Sequence, residues 1–496
     1  MYSFHFRLSL QEGKEVDQLG MPTLNEIVPE IPVEFIRRTT ETYGNSMCND
    51  LLDALEGDPP VSIRLNPHKC SLTESLPYEK VPWCGEGIYL EERPSFILDP
   101  FWHAGLYYVQ EAASMSIALY LKQLTAPPQI ALDLCAAPGG KSTHLRNLLP
   151  LDTILVSNEP DPARASILYE NILRNGTDEC LVTSAYPSAL RHTGLQCDLI
   201  LVDAPCSGEG MFRKYPHARE EWSPENVAMC VTRQKDILDE AWEMLLPGGT
   251  LIYSTCTFNE EENEGQLDYL TAKGAQLITS LSDRMRDAGA FEYRQGCYHF
   301  FPHLTKGEGF SLFAITKPGT YTPWVEKSRK QANITLPEEL SLLSEAARVS
   351  RSDGEYFAQS QNCESLALTL SKGGVKVLSA GVSLGSIKGK KFIPAHGWVS
   401  SPYLKSFIPY PKYEISEDQV LSYLSRNAIQ IQADKGIAVA YFNQVPLGWL
   451  NNVGNRANNL YPKELAIRNI PSGEKLPERF SAKFLSPTNL PFNVYD

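Results

Sequence analysis

The sequence contains no apolar run approaching the ~18 residues that a helix needs to cross a bilayer, which excludes a chain anchored by transmembrane helices. The first twenty residues carry Arg7, Glu12, Lys14, Glu15 and Asp17 and no apolar centre, so no secretory signal is read there. Met21 is a candidate alternative start. No two cysteines have CxxC spacing, which argues against a zinc ribbon, and their odd number, eleven, argues against a closed disulfide framework. Free thiols in a reducing cytoplasm, with no bound metal, are expected. Positive charge is not in excess either: 45 Lys and Arg stand against 59 Asp and Glu, a net −14 that discourages nucleic-acid binding by the chain as a whole. No internal repeat is found. What remains is an ordinary globular composition, 43% hydrophobic and 10% aromatic, over 496 residues. At roughly 150 residues per domain that length suggests about three domains.

The charge is unevenly spread. Residues 351–496 hold 16 Lys and Arg against 11 Asp and Glu, whereas the other 350 residues hold 29 against 48. Between Ser371 and Lys412 there are seven lysines (Lys372, Lys376, Lys388, Lys390, Lys391, Lys405 and Lys412) and no acid. A basic binding module attached to an acidic body accounts for this, as does a merely solvated lysine face.

Along the chain, Pro32–Glu56 has helical spacing and VSIRLN (61–66) alternates like a strand. From about Ile130 short apolar strands (IALDL, TILVSN, DLILVD, GTLIYS) alternate with helical stretches at Lys141–Leu149, Arg164–Asn175 and Arg233–Leu246. That pattern predicts an α/β domain, a doubly wound Rossmann-like sheet covered on both faces, over 116–318. GEGFSLFAITK (307–317) reads as its closing strand. An α+β lobe over 22–115 precedes it. A Pro-containing linker (319–348) and β-rich modules over 349–411 and 412–496 follow.

Three strings carry the chemistry. ALDLCAAPGGKS (131–142) runs from a strand through a glycine turn into a helix, where α/β sheets bind nucleotides. It has neither GxGxxG nor GxxxxGK[ST], which disfavours NAD and ATP. Twenty residues past Gly139, a second strand ends in Glu159, an acid placed to accept ribose hydroxyls. DLILVDAPCSGEGMFRK (198–214) ends a strand in Asp203 and puts Cys206 in a loop. LPGGTLIYSTCTFNEEEN (246–263) puts Cys256 at another strand end. A lone buried cysteine is usually a small hydrophobe, but two thiols at the carboxyl ends of strands in one ligand-binding sheet suit nucleophilic catalysis. Thiolate addition at C6 of a pyrimidine, with an acid at the base edge, makes C5 able to attack a methyl sulfonium. The residues by themselves leave Cys206 and Cys256 equal candidates for the nucleophile.

VSIRLNPHK, GLYYVQEAASM, LDLCAAPGGKS, DLILVDAPCSGEGMFRK, YSTCTFNEEENEG and GEGFSLFA occur in this order. Together they resemble the Sun/nucleolar-protein family of RNA 5-methylcytosine methyltransferases, in its bacterial RsmF-like branch, over about Pro22–Arg468. The resemblance implies S-adenosylmethionine as cofactor, held by Cys135, Ala136, Ala137, Pro138, Gly139, Gly140 and Lys141. It also places Glu159 on the ribose, and Arg164, Tyr186 and Asp203 in the same pocket. It makes Cys256 the nucleophile, Cys206 the thiol that assists product release, and Asp203 the group at the base edge. The implied partner is RNA: 16S ribosomal RNA of the small subunit first, transfer RNA second. A monomeric cytoplasmic enzyme is expected. Its last module, Lys412–Arg468, resembles a PUA-type RNA-binding fold, which favours phosphate contacts for the lysines. Two positions depart from the family pattern. Tyr186, with Ser184 nearby, stands where an acid is usual on the adenine side, and Asn458-Asn459 replaces a usual Lys-Asn.

Overall fold

A computed structural model of the chain describes residues 28–72, 78–122, 124, 126–176, 178–320 and 334–468, and the backbone strand Leu485–Pro487. The candidate start Met21 and residues 321–333 of the expected linker (319–348) lie outside the described residues.

The helical stretch after Pro32 is two helices, Val33–Tyr43 and Asn45–Leu55, divided at Gly44. Gly44 has φ 86°, a conformation that costs a side-chain-bearing residue and ends the first helix. A three-stranded antiparallel sheet follows, with Val61–Leu65 between Gly87–Leu90 and Tyr107–Val109.

The centre is a ten-stranded sheet. Five strands run parallel in the order Leu245–Thr255, Cys197–Asp203, Ile130–Asp133, Ile154–Asn158, Cys180–Ser184. Their near-unbroken apolar runs follow from burial on both faces. Leu199 and Leu201 enter a core shared with Trp83 and Met115 of the N-terminal lobe, while Ile200 and Val202 enter the core on the other face. The closing strand Phe310–Thr316 is antiparallel to Leu245–Thr255 and carries Cys297–Phe300 beyond it. Chain order reverses at Ile130–Asp133, whose neighbours are the next strand and the Cys197–Asp203 strand. The crevice above their carboxyl ends is therefore the topological switch point where such sheets bind ligands.

The C-terminal third is woven into this body. Gln361–Lys372 packs Cys363, Leu366 and Leu370 into the second core. Lys376–Ala380 then pairs antiparallel with Cys180–Ser184 and becomes the sheet's outer strand. Residues expected to form one module over 349–411 thus contribute both to the central sheet and to a separate four-stranded sheet, Val349–Ser352 to Lys391–Pro394. The last sheet, Lys412–Glu414 to Ala457–Asn459, shares one apolar core with the N-terminal lobe: Ile63, Ile88 and Phe101 meet Tyr423, Leu447 and Tyr461. His103 and Tyr461 are hydrogen-bonded across that junction at 3.0 Å.

Candidate active site

The turn after Ile130–Asp133 is organised by the residues around it. Gly139 has φ 114° and caps the helix Gly140–Leu148, so the free N–H groups of the first turn open onto the crevice. Arg64, buried in the N-terminal lobe, donates to Gly140 O at 2.7 Å, to Thr143 Oγ1 at 2.7 Å and to Gln110 Oε1. It thereby fixes the start of that helix. Arg164 donates to Ala137 O at 3.0 Å and lies 3.5 Å from Glu159, so it braces the turn as well as the acid. Glu159 is 2% exposed, and burial raises its carboxyl above the ordinary range against the pull of Arg164. Asp133 carries a buried oxygen, Oδ1, with no partner, and burial pushes its carboxyl up to about 7. Unpaired N–H groups and two buried acids fit a nucleoside with a cationic centre. These are the residues that would hold S-adenosylmethionine.

Asn158 was not singled out from the sequence, yet it ties three strand ends together. Its amide donates to Leu134 O at 3.2 Å and Ala185 O at 2.9 Å and accepts from Thr183 at 2.9 Å. Its place one residue before Glu159 was the available signal. Tyr186 stands at the start of the helix Pro187–His192, beside the Cys180–Ser184 strand end, and is 73% exposed.

The second half of the site lies on two adjacent strand ends. Asp203 and Ser254 are register partners, and Ser254 Oγ donates to Asp203 Oδ1 at 2.8 Å. Lys141 Nζ donates to the other oxygen, Oδ2, at 2.8 Å, linking the start of the Gly140–Leu148 helix to the Asp203 strand. Burial alone would lower the Lys141 ammonium, but Asp203 outweighs it and holds the group above its usual range. Cys206 and Cys256 face each other with Sγ atoms 3.3 Å apart. Cys206 is driven well above the usual thiol range, first by its hydrogen bond to Cys256 and then by burial.

The two cysteine loops are braced reciprocally. Glu262, beyond Cys256, accepts from Ser207 N at 3.0 Å, from Gln234 at 2.7 Å and from Asn259 at 2.8 Å. Glu209, beyond Cys206, accepts from Phe258 N at 2.7 Å and Asn259 N at 3.0 Å. Gly210 N donates to Cys256 O at 2.9 Å. A Cβ on Gly210 would stand 2.7 Å from Gly309 O, which is why the two Gly-Glu-Gly strings cross as glycines. Under the Cys256 loop, Ser311 Oγ donates to Thr257 O and accepts from His299 Nδ1, both at 2.7 Å, and His299 Nε2 meets Glu264 at 2.7 Å.

The lysines do not form one cluster. Lys388 and Lys391 are register partners on an exposed hairpin with Lys390 at its tip. Lys376 is in the central sheet, and Lys405 is half-buried, its ammonium lowered by burial and by Lys412. Asn459 is structural: its amide donates to Tyr423 O at 2.7 Å and Asn427 O at 3.0 Å.

Comparison with known proteins bears on this arrangement. Residues 122–315 match the family described as 16S rRNA methyltransferase RsmB/F. Residues 31–112 match the N-terminal domain of 16S rRNA methyltransferase RsmF, and 410–467 match the methyltransferase RsmF PUA domain. The chain is 31% identical over 458 residues to ribosomal RNA small subunit methyltransferase F of Klebsiella pneumoniae (strain 342), covering 84% of this chain and 92% of that one. It is 33% identical over 392 residues to the protein of the same name from Pectobacterium atrosepticum, covering 73% and 80%. The solved structure of PH0851 shares the fold, with a TM-score of 0.51 at 24% identity over 58% of this chain and 66% of that one. The chain belongs to the RsmF family of S-adenosylmethionine-dependent methyltransferases.

Proposed function

We propose that this enzyme methylates C5 of a cytosine in 16S ribosomal RNA, in the cytoplasm, through a covalent bond between Cys256 and C6 of the base. The observation that carries this reading is the pair of thiols 3.3 Å apart beside Asp203. The names of its relatives and the match to a PUA domain support ribosomal RNA as the substrate.

S-adenosylmethionine supplies an electrophilic methyl group, and the remaining work falls to side chains. Cys256, as its thiolate, adds to C6, with the Cys206 sulfur 3.3 Å away. Asp203 relays a proton from the Lys141 ammonium, 2.8 Å away, to N3, so that C5 becomes the nucleophile. Once C5 is methylated, a water molecule acting as base takes the C5 proton, Asp203 takes back the N3 proton, and the Cys256–C6 bond breaks as the C5–C6 double bond re-forms. The Cys206 thiol is placed to return a proton to the departing sulfur.

The test is a denaturing gel of each variant with RNA and cofactor. Cys256→Ala should form no adduct and be inactive. Cys206→Ala should methylate, stall, and accumulate protein cross-linked to RNA. Accumulation in Cys256→Ala but not in Cys206→Ala would overturn the assignment in favour of Cys206. Bisulfite sequencing of 16S and transfer RNA from cells with and without the gene identifies the substrate. An unchanged 16S pattern would overturn the ribosomal reading.

A further inference from the structure

We propose that Cys206 and Cys256 are also an oxidation site, at which a peroxide drives a reversible disulfide within the chain and removes the enzyme from its catalytic state. The loss of activity rests on the catalytic reading above; the formation of the bond does not.

Three observations carry the inference. The sulfurs lie 3.3 Å apart, so a disulfide of about 2.05 Å requires an approach of only about 1.3 Å. Peroxide can reach them: Cys206 and Cys256 are both partly exposed, whereas eight of the other nine cysteines are buried. Cys135, the remaining one, is held far above the usual thiol range by burial and neighbouring acids, which suppresses its thiolate. The loops that carry the pair are also held face to face in the resting protein. The Glu262–Ser207 and Glu209–Phe258 bonds and the Gly210–Cys256 bond keep the second thiol beside the first, so it can attack before further oxidation intervenes.

The chemistry balances with hydrogen peroxide as the oxidant. The Cys256 thiolate attacks one peroxide oxygen; the S–O bond forms, the O–O bond breaks and hydroxide leaves, giving the sulfenic acid. The Cys206 sulfur then attacks the Cys256 sulfur. The S–S bond forms, and the sulfenic oxygen leaves as water with the Cys206 proton. Two electrons pass from the two sulfurs to the peroxide. A dithiol reductant reverses the state by thiol–disulfide exchange. A chain whose Cys256 is bonded to substrate carbon is protected, because that sulfur cannot then react.

The experiment uses the full-length protein without RNA, treated with hydrogen peroxide, quenched with an alkylating agent and analysed by mass spectrometry. The expected result is a mass loss of about 2 Da, two fewer alkylated cysteines, and a cross-link between the tryptic peptides 192–213 and 236–273. Methyl transfer should fall by more than about tenfold and return with dithiothreitol. Peptide 192–213 also contains Cys197, so Cys206→Ser is the control: it should lose the cross-link and leave a sulfenic acid on Cys256 that dimedone traps. Wild-type protein that gains oxygen without a cross-link, or a cross-link that survives Cys206→Ser, overturns the proposal. A cross-link that leaves methyl transfer intact also overturns it. Should the gel experiment above fail while the reversible cross-link and loss of activity persist, the adduct chemistry falls and the oxidation site stands.

Discussion

Glu262 accepts the backbone N–H of Ser207 at 3.0 Å, so a residue six places beyond Cys256 holds the loop that carries Cys206. Three donors converge on its carboxyl, which burial and the Glu209 charge nonetheless push up to about 7. A brace of this kind sets the distance between two reacting groups, and small displacements of such groups are costly. Glu262→Gln keeps the shape but turns an amide donor toward donors. It should lower kcat by about ten- to a hundredfold, the 1–3 kcal/mol of an unsatisfied buried group. Cofactor affinity should stay within about twofold, because Glu262 adjoins the cysteine loops rather than the turn. Equal loss of kcat and cofactor affinity in stopped-flow and calorimetric measurements would contradict a role in the loops alone.

Glu159 is the acid expected on the ribose, and its burial means that a bound hydroxyl would find it already desolvated. Glu159→Ala should weaken S-adenosylmethionine binding by about 1–3 kcal/mol, measured by calorimetry. Arg164→Ala should weaken it less, since Arg164 reaches the turn through Ala137 O. Unchanged affinity in Glu159→Ala would remove that residue from the cofactor site.

The exposed hairpin around Gly389 presents Lys388, Lys390 and Lys391 together, and each can neutralise a phosphate. Replacing all three with Gln should weaken RNA binding across sequences and lower the log–log salt slope by up to about three. Lys405→Gln should change the slope little, because its half-buried ammonium is less open to solvent than the hairpin. A slope unchanged by the triple variant would return the hairpin to a solvated face.

The strand ends that carry Asp133, Glu159, Asp203 and Cys256 were legible because parallel strands buried on both faces must be apolar until the chain turns to meet a ligand. Their bounds lie within a few residues of the strings that announced them. The break at Gly44 is a local signal, a glycine between two helical runs, that periodicity overrode. Lys376–Ala380 gave no sign of joining the central sheet, since an edge strand's partner is set by which helix packs where, here Gln361–Lys372 on the second core. The pairing of Glu209 with Phe258, 49 residues away, was hidden for the same reason: each residue sits in a recognised string, but only the adjacency of the two strands brings them together. The shared core of the N-terminal lobe and the last module lies further still beyond local patterning, because either face alone reads as ordinary amphipathic structure.

Asp178 joins the methyltransferase sheet to the C-terminal segment and yields a test by pH. Ser401 Oγ donates to its Oδ1 at 3.0 Å, and burial pushes the carboxyl up to about 7 from an ordinary 3.8. Below about pH 4 the group is protonated in both the folded and the unfolded chain, and it contributes no pH dependence. Between about 4 and 7 the folded chain holds a proton that the unfolded chain has lost, so this carboxyl makes stability fall as pH rises. Above 7 that loss is complete. Asp178→Asn keeps an acceptor for Ser401 and carries no charge at any pH. Its stability relative to the wild type should rise by on the order of 1–3 kcal/mol between pH 5 and pH 7.5, because the wild type loses stability over that range and the variant does not. Thermal unfolding of both proteins between pH 5 and 9 measures the difference. A gap between the two melting curves that stays constant across that range would show that the carboxyl does not titrate near neutrality.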